Sequence, residues 1–478
     1  MKRKAFISYH TPTLRTSFRP SYGYLLGGFL ALVLSLSACR DILEPPPVDL
    51  LVDELVLNDA SDVEPVRLGL YNAFRGMGSP MIIAGSFTAD FIQHNGTFTV
   101  YNELGNKQIT ATNPAAEALW GGIYNTIYIA NFIEERINDV PGVTEAARKQ
   151  ILAEARFLRG YANFIGTYTF GDIPKVTTTD IATNRNIPKD SRADILQSVL
   201  ADYTAALPDL PITNGNKTIA KTYATQNAVR AALARYYLYQ QEWANAEKTA
   251  TEIINTKLQT LPASYADVIF QEYDDETILE VAYANNSSDD PGTSTFGLNN
   301  ILVGRREVIP ANSYILTMRE TNAGERSQTI AFDPLNQGGN DNGWSVVKYG
   351  TPDEANNNIT IFRLAEQYLI RAEARARQGR IVGVNGAQAD INVLRTRAKA
   401  PAASITNQEN ALLTIEKERV YELSFEGHRW YDLKRTGRIQ AVMSAFSPNW
   451  NAKFELWPIP QSELQRNKAL AGGQNPGY

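Results

Sequence analysis

The 478-residue chain is 44% hydrophobic, enough for a sizeable core, and its formal charge of −5 offers no basic surplus for a nucleic-acid partner. Residues 1–38 hold five basic groups (Lys2, Arg3, Lys4, Arg15 and Arg19) and no acid, so the rest of the chain has 41 basic against 51 acidic side chains. The single cysteine, Cys39, excludes an internal disulfide.

Residues 25–38, LLGGFLALVLSLSA, form an uncharged and mostly apolar run. The run is too short for a spanning helix, which needs about 20 apolar residues. It suits a signal-peptide core of about 7–15, after a basic start and before small residues. The run ends in Leu36-Ser37-Ala38-Cys39, which resembles a bacterial lipobox, with cleavage before a cysteine whose thiol is diacylated. Two acyl chains hold a protein at a membrane where one holds it only marginally. Residues 40–49, RDILEPPPVD, then read as a stiff tether, because three consecutive prolines disfavour helix. Thus 1–38 is the expected leader, 39–49 the lipidated cysteine and tether, and 50–478 the folded domain.

Helical periodicity begins at residues 61–75, where Val63, Val66, Leu70, Tyr71 and Phe74 recur at three- and four-residue spacing. Residues 76–114 are rich in Gly, Asn and Thr and read as irregular loop. Helices are expected over 117–138, 144–168, 192–206, 225–240 and 243–256, with a turn at Gly171-Asp172-Ile173-Pro174. Leu233, Ala234 and Tyr237 on one helix face Trp243, Ala246, Ala250 and Ile253 on the next, and small Ala residues let two backbones approach. The 12-residue offset from Ala234 to Ala246 resembles a tetratricopeptide (TPR) hairpin. Ala-rich helical sequence returns at 363–378 and 383–397. Between the helical stretches, residues 258–352 carry short β-like runs (277–282 and 345–349) and Gly/Asn-rich loops. The expected fold is therefore mostly α: a TPR-like helical lobe, about 117–257 and 360–435, with an inserted loop-rich lobe over about 258–352 containing short β-strands.

Four stretches carry a family resemblance. They are EARFLRGY at 154–161 leading to YTFGDIP at 168–174; RLAEQYLIRAEA at 363–374; ERVYELSFEGHRWYDLKR at 418–435; and WPIP at 457–460 with the terminal QNPGY. In this order they resemble the SusD/RagB family, with Phe170 where Tyr is usual. The resemblance implies a surface lipoprotein of the outer membrane that captures an oligosaccharide or related nutrient. It also implies a partner, a SusC-like TonB-dependent transporter over which the protein sits as a lid. Asp41 and Glu44, close behind Cys39, fit export to the outer face by the same analogy.

No catalytic motif accompanies these stretches. The serine-hydrolase G-x-S-x-G, the phosphate-binding G-x-x-x-x-G-K-[ST] and HExxH are absent, and there is no cysteine cluster. The expectation is a binding protein with no cofactor and no metal. A TPR-like interaction scaffold and a glycoside hydrolase, which would need two carboxylates facing a cleft, are the alternatives. Glu418, Glu422 and His428 could be drawn as metal ligands, but charged helix faces with local Glu–Arg pairing account for them, and Gly427 is placed to end the helix left-handed. The ligand site is expected on the irregular loops, since recognition commonly sits on loops held by a rigid scaffold. Phe98, Tyr101 and Asn102 in one segment, and Phe296 and Trp344 in another, combine stacking rings and amides beside Gly and Asn.

Overall fold

Capped helices dominate the chain. Asn113, Thr144, Ser191 and Thr225 each accept a hydrogen bond from a first-turn amide, and a long helix follows each of them. A computed structural model describes residues 57–215, 220–283, 297–350 and 358–478. The expected leader, Cys39, the tether and Phe296 lie outside the described residues.

The first helices are α1 (Val63–Arg75), α2 (Gly78–Ile82), α3 (Thr99–Gly105), α4 (Pro114–Arg136) and α5 (Glu145–Phe170). Next come α6 (Ile181–Asn184), α7 (Arg192–Ala206), α8 (Gln226–Tyr239), α9 (Trp243–Thr256), α10 (Tyr265–Phe270) and α11 (Asn312–Met318). The C-terminal set is α12 (Leu364–Arg377), α13 (Ala387–Arg397), α14 (Gln408–Glu422), α15 (Arg429–Arg435), α16 (Ile439–Phe446) and α17 (Gln461–Arg466). Helix packing runs α4 on α5 and α5 on α7, then α8 on α9, α9 on α12, and α12 on α13 and α14. Fully buried Ala231, Ala234, Ala246, Ala250, Ala372 and Ala376 allow the close approach of the later pairs. Among the described residues no helix is long and apolar enough to cross a membrane.

The strands are β1 (Ile92–His94), β2 (Ile173–Pro174), β3 (Lys189–Asp190), β4 (Thr277–Val281), β5 (Val308–Pro310), β6 (Ile330–Gly338), β7 (Asp341–Val346) and β8 (Ile359–Arg363). They pair antiparallel as β1–β5, β2–β3, β4–β8 and β6–β7. The β4–β8 ladder, with Thr277 opposite Arg363 and Val281 opposite Ile359, closes the base of the loop-rich segment between the helical stretches. The fold is mostly α and TPR-like, with that segment set into it.

Three expectations need correction. Residues 78–89 are not surface loop: all are buried, as α2 followed by a π-helical turn, Ile83–Phe87. Their Gly, Ser and Ala serve close packing; a Cβ at Gly85 would lie 2.0 Å from the Gly427 carbonyl oxygen. The strand expected at 345–349 lies instead at β7, four residues earlier at its start. Gly427 is left-handed (φ 80°), but α14 has already ended at Glu422; the intervening Phe425 is left-handed too.

The motif carboxylates are buried, not spread over helix surfaces, and their partners are far away in sequence. Arg363 bonds Glu276 at 2.9 Å, Glu422 at 2.7 Å and Glu426 at 2.8 Å. Arg397 also meets Glu422 and Glu276, while Lys348 meets Glu426. Arg326 and Arg395 reach Glu418 at 2.7 Å. Arg419, expected to pair within its own helix, binds Asp432 at 2.7 Å instead. Burial alone would raise the Glu422 carboxyl, but Arg397, Arg363 and Arg326 outweigh it and hold it well below the usual carboxylate range.

Removing one partner leaves buried charges uncompensated, which costs about 3–5 kcal/mol. Glu422→Gln should therefore lose stability of that order at pH 7 in urea unfolding. A carboxyl depressed in the folded state contributes stability above its unfolded value of about 4.3 and loses it as pH falls through that range. The wild-type protein should weaken as pH falls below about 5, and Glu422→Gln should show a shallower dependence in the same titration.

Candidate ligand-binding site

Two loop segments identified from the sequence meet through one ladder. In β1–β5, Ile92 faces Pro310, Gln93 faces Ile309 and His94 faces Val308. Beyond it, the amides of Asn95 and Gly96 donate to the Glu307 carbonyl at 2.9 and 3.0 Å. The Glu307 carboxylate, itself buried, accepts from the amides of Thr97 and Phe98 at 2.9 Å each. This close approach needs glycine at 96: a Cβ there would lie 2.1 Å from Glu307 Oε2.

The ladder fixes the side chains on either flank. Arg305 lies 4.2 Å over the half-buried Phe98 ring and 3.3 Å from Glu307. Asn102, exposed on α3, shares a 3.2 Å contact with His94 Nδ1. Burial holds the His94 imidazole below its ordinary value, against the pull of Glu307, so it is neutral at pH 7. On the other flank Arg306 Nε donates to Asp341 at 2.7 Å and its Nη2 donates to the Trp344 carbonyl at 3.0 Å. Asn95 Nδ2 bridges the Arg306 carbonyl at 2.9 Å and Asp341 at 3.1 Å. Burial would raise Asp341, but Arg306 and the Gly343 amide hold it below the usual carboxylate range.

Trp344 is half-buried on β7, 5.3 Å from the Phe332 ring at 45° and 5.8 Å from the exposed Arg319 guanidinium. Gly343, with φ 80°, makes room for this pair, since a Cβ would lie 2.7 Å from the Phe332 ring. Phe98 and Trp344 thus flank the consecutive arginines 305 and 306 on one backbone support. The arrangement can offer ring faces, guanidinium donors and an amide to a polar ligand with apolar faces. Among the described residues no group of three or more His, Cys, Asp or Glu could hold a metal ion.

A SusD family model matches residues 320–478, and a second, described as starch-binding associating with outer membrane, matches residues 72–238. A SusD-like protein of Formosa agariphila is 25% identical over 526 aligned residues, spanning 94% of this chain and 98% of its own. The chain belongs to the SusD/RagB family. The starch-binding protein SusD of Bacteroides thetaiotaomicron is 34% identical over 131 residues, 25% of this chain and 22% of its own. A laminarin-binding SusD-like protein shares the fold at TM-score 0.74 and 23% identity, over 88% of this chain and 100% of that one. Surface glycan-binding protein A from Bacteroides fluxus does so at TM-score 0.74 and 22% identity, with the same coverage.

In this SusD/RagB chain Tyr101 is not a surface ring. It is 0% exposed, packed 6.4 Å from both Phe87 and Phe98. Helix α3 turns it inward, because Val100, Tyr101 and Leu104 form the buried stripe while Asn102 faces out. Sequence reasoning missed Arg305, Arg319 and Phe332. Phe332 is 47% exposed and pairs across the β6–β7 ladder with Trp344, so recognising that ladder would have found it. Tyr101→Ala should cost about 3–5 kcal/mol of stability as a deleted core aromatic. Trp344→Ala should cost no more than about 1.5 kcal/mol, the range of an exposed ring pair. Paired thermal melts read the difference.

Proposed function

We propose that this SusD/RagB protein captures an oligosaccharide on the joined loops at 94–102 and 305–344 and hands it on unchanged. The observation that carries this reading is the pair of half-buried rings, Phe98 and Trp344, on mounts locked by Glu307, Arg306 and Asp341. Sugar C–H faces lie against aromatic rings, and sugar hydroxyls need amide and guanidinium partners such as Asn102, Arg305 and Arg319. Relatives named for starch, laminarin and surface-glycan binding support the same class of ligand. An open site leaves much of the ligand in water, so affinity should be micromolar to millimolar, about 4–8 kcal/mol. Binding without turnover fits a family of glycan binders.

The delivery route follows the family resemblance. Residues 1–38 act as the leader, Cys39 carries the lipid, 39–49 form the tether, and 50–478 are the binding domain on the outer face of the outer membrane. The helical lobe at about 117–257 and 360–435 offers a broad surface to a SusC-like TonB-dependent transporter, and the loop-rich lobe at about 258–352 carries the ligand.

Screening a glycan array with residues 40–478 should give binding to an oligosaccharide that is recovered intact. In titration calorimetry, Trp344→Ala should then lose on the order of 1–2 kcal/mol of affinity without a matching loss of melting temperature. Binding to peptides alone, or shortened glycan, would overturn the reading. Cys39→Ala should leave the membrane fraction or stay unprocessed. Affinity purification with the lipid intact should recover a barrel of the SusC type, and recovery of the protein alone would count against that partner.

A further inference from the structure

A cavity of about 310 Å³ lies in the helical lobe and shares no residue with the loop site. It sits between the end of α4, the middle of α5, the strand-to-loop exit after β2, and α7. Its volume falls at the small end of the roughly 300–1,000 Å³ typical of small-molecule pockets, so it suits one sugar ring and not a chain.

The acids around this cavity are already neutralised. Arg159 donates to both oxygens of Asp202, at 3.0 and 2.6 Å, and also reaches Glu134 at 2.5 Å. Arg156 covers Glu134 from the other side at 2.7 Å. Glu135 accepts from the Thr179 amide at 2.9 Å and pairs with Arg136 at 3.2 Å.

Two groups are left over. The half-buried Lys175 ammonium on the cavity wall has no ion-pair or hydrogen-bond partner among the described residues. Asn163, also lining the cavity, is only 4% exposed, and its Oδ1 is buried without any hydrogen-bond partner. A buried polar atom left unpaired is costly, so Asn163 gains from a hydroxyl donor in the cavity. The Ser198 hydroxyl, which spends its proton on the Ile195 carbonyl at 2.7 Å, and the Asp202 carboxylate keep further acceptor lone pairs on the same wall.

An unpaired cation beside a set of acceptors calls for a ligand with one negative group and several hydroxyl donors. We infer that this cavity binds a single polyhydroxylated carboxylate of uronic-acid type, with the carboxylate on Lys175 and hydroxyls donated to Asn163 and its neighbours.

Titration calorimetry or ligand-observed NMR on residues 40–478 tests this with galacturonate and glucuronate as probes, and with galactose and acetate as controls. At least one uronate should saturate the protein, binding ten-fold or more tighter than galactose, which lacks the charge, and than acetate, which lacks the hydroxyls. Lys175→Gln, at a half-buried position with no ion pair to lose among the described residues, should weaken uronate binding at least five-fold with the melting temperature unchanged. Asn163→Ser should weaken it less and in the same direction. Trp344→Ala should leave it unchanged, so failure at the loop site and failure here are told apart. The inference is overturned if neither uronate saturates, if galactose or acetate binds as well, or if Lys175→Gln binds normally.

Discussion

Arg363 has left water entirely, and the fold is arranged around the carboxylates that make this tolerable. It stands at the last position of β8 and is surrounded by Glu276 before β4, Glu422 at the end of α14, and Glu426 in the loop beyond. Each buried ion costs several kcal/mol of lost hydration, repaid only with close geometry and further hydrogen bonds. The geometry here is multidentate; with Lys348 and Arg397 three cations meet these three carboxylates, and Arg326 and Arg395 share the neighbouring Glu418. Such a cluster adds little net stability over an apolar core. Its effect is register specificity: a slip of β8 would part Arg363 from Glu276, Glu422 and Glu426 together.

That specificity extends to the ligand loops through short links. Past Glu426, the Gly427 amide donates to Ser86 at 3.0 Å, in the buried π-turn. Phe425 packs against Phe87, Phe91 and Tyr314, and the Tyr349 hydroxyl holds its carbonyl at 2.6 Å. Phe91 directly precedes β1, and Tyr314 lies just after β5. The two strands that carry the candidate site are thus seated on Phe425, which lies between the cluster residues Glu422 and Glu426. Arg429 adds a second tie, with Asp90 at 2.9 Å.

The long helices were legible from periodicity and caps: α7 and α9 have the expected bounds, and α5 and α8 differ by a residue or two at their ends. What failed has a common physical cause. Residues 78–89 look like loop because small residues signal turns, and only the contact with Gly427 reveals them as core. Glu418, Glu422 and Arg419 look like helix-surface pairs because a single sequence shows spacing and not distant partners. Tyr101 and Phe98 share a composition that favours recognition; the inward stripe of α3 separates them, and it is too short for its phase to be read beforehand. Trp344 and Asn102 stand out by residue type alone, whereas the contacts that hold Phe98 to Glu307 and Asn95 to Arg306 span 209 and 211 residues and show in no local spacing.

The central claim is that the joined loops bind an oligosaccharide and leave it unchanged. Hydrogen exchange with mass spectrometry, on residues 40–478 with and without a glycan that binds, locates the contact most directly. The account predicts added protection in peptides covering 94–106 and 305–344, little change across α12–α15, and a glycan of unaltered length at the end. Protection confined to the helical lobe, or a glycan cut during the incubation, would contradict it.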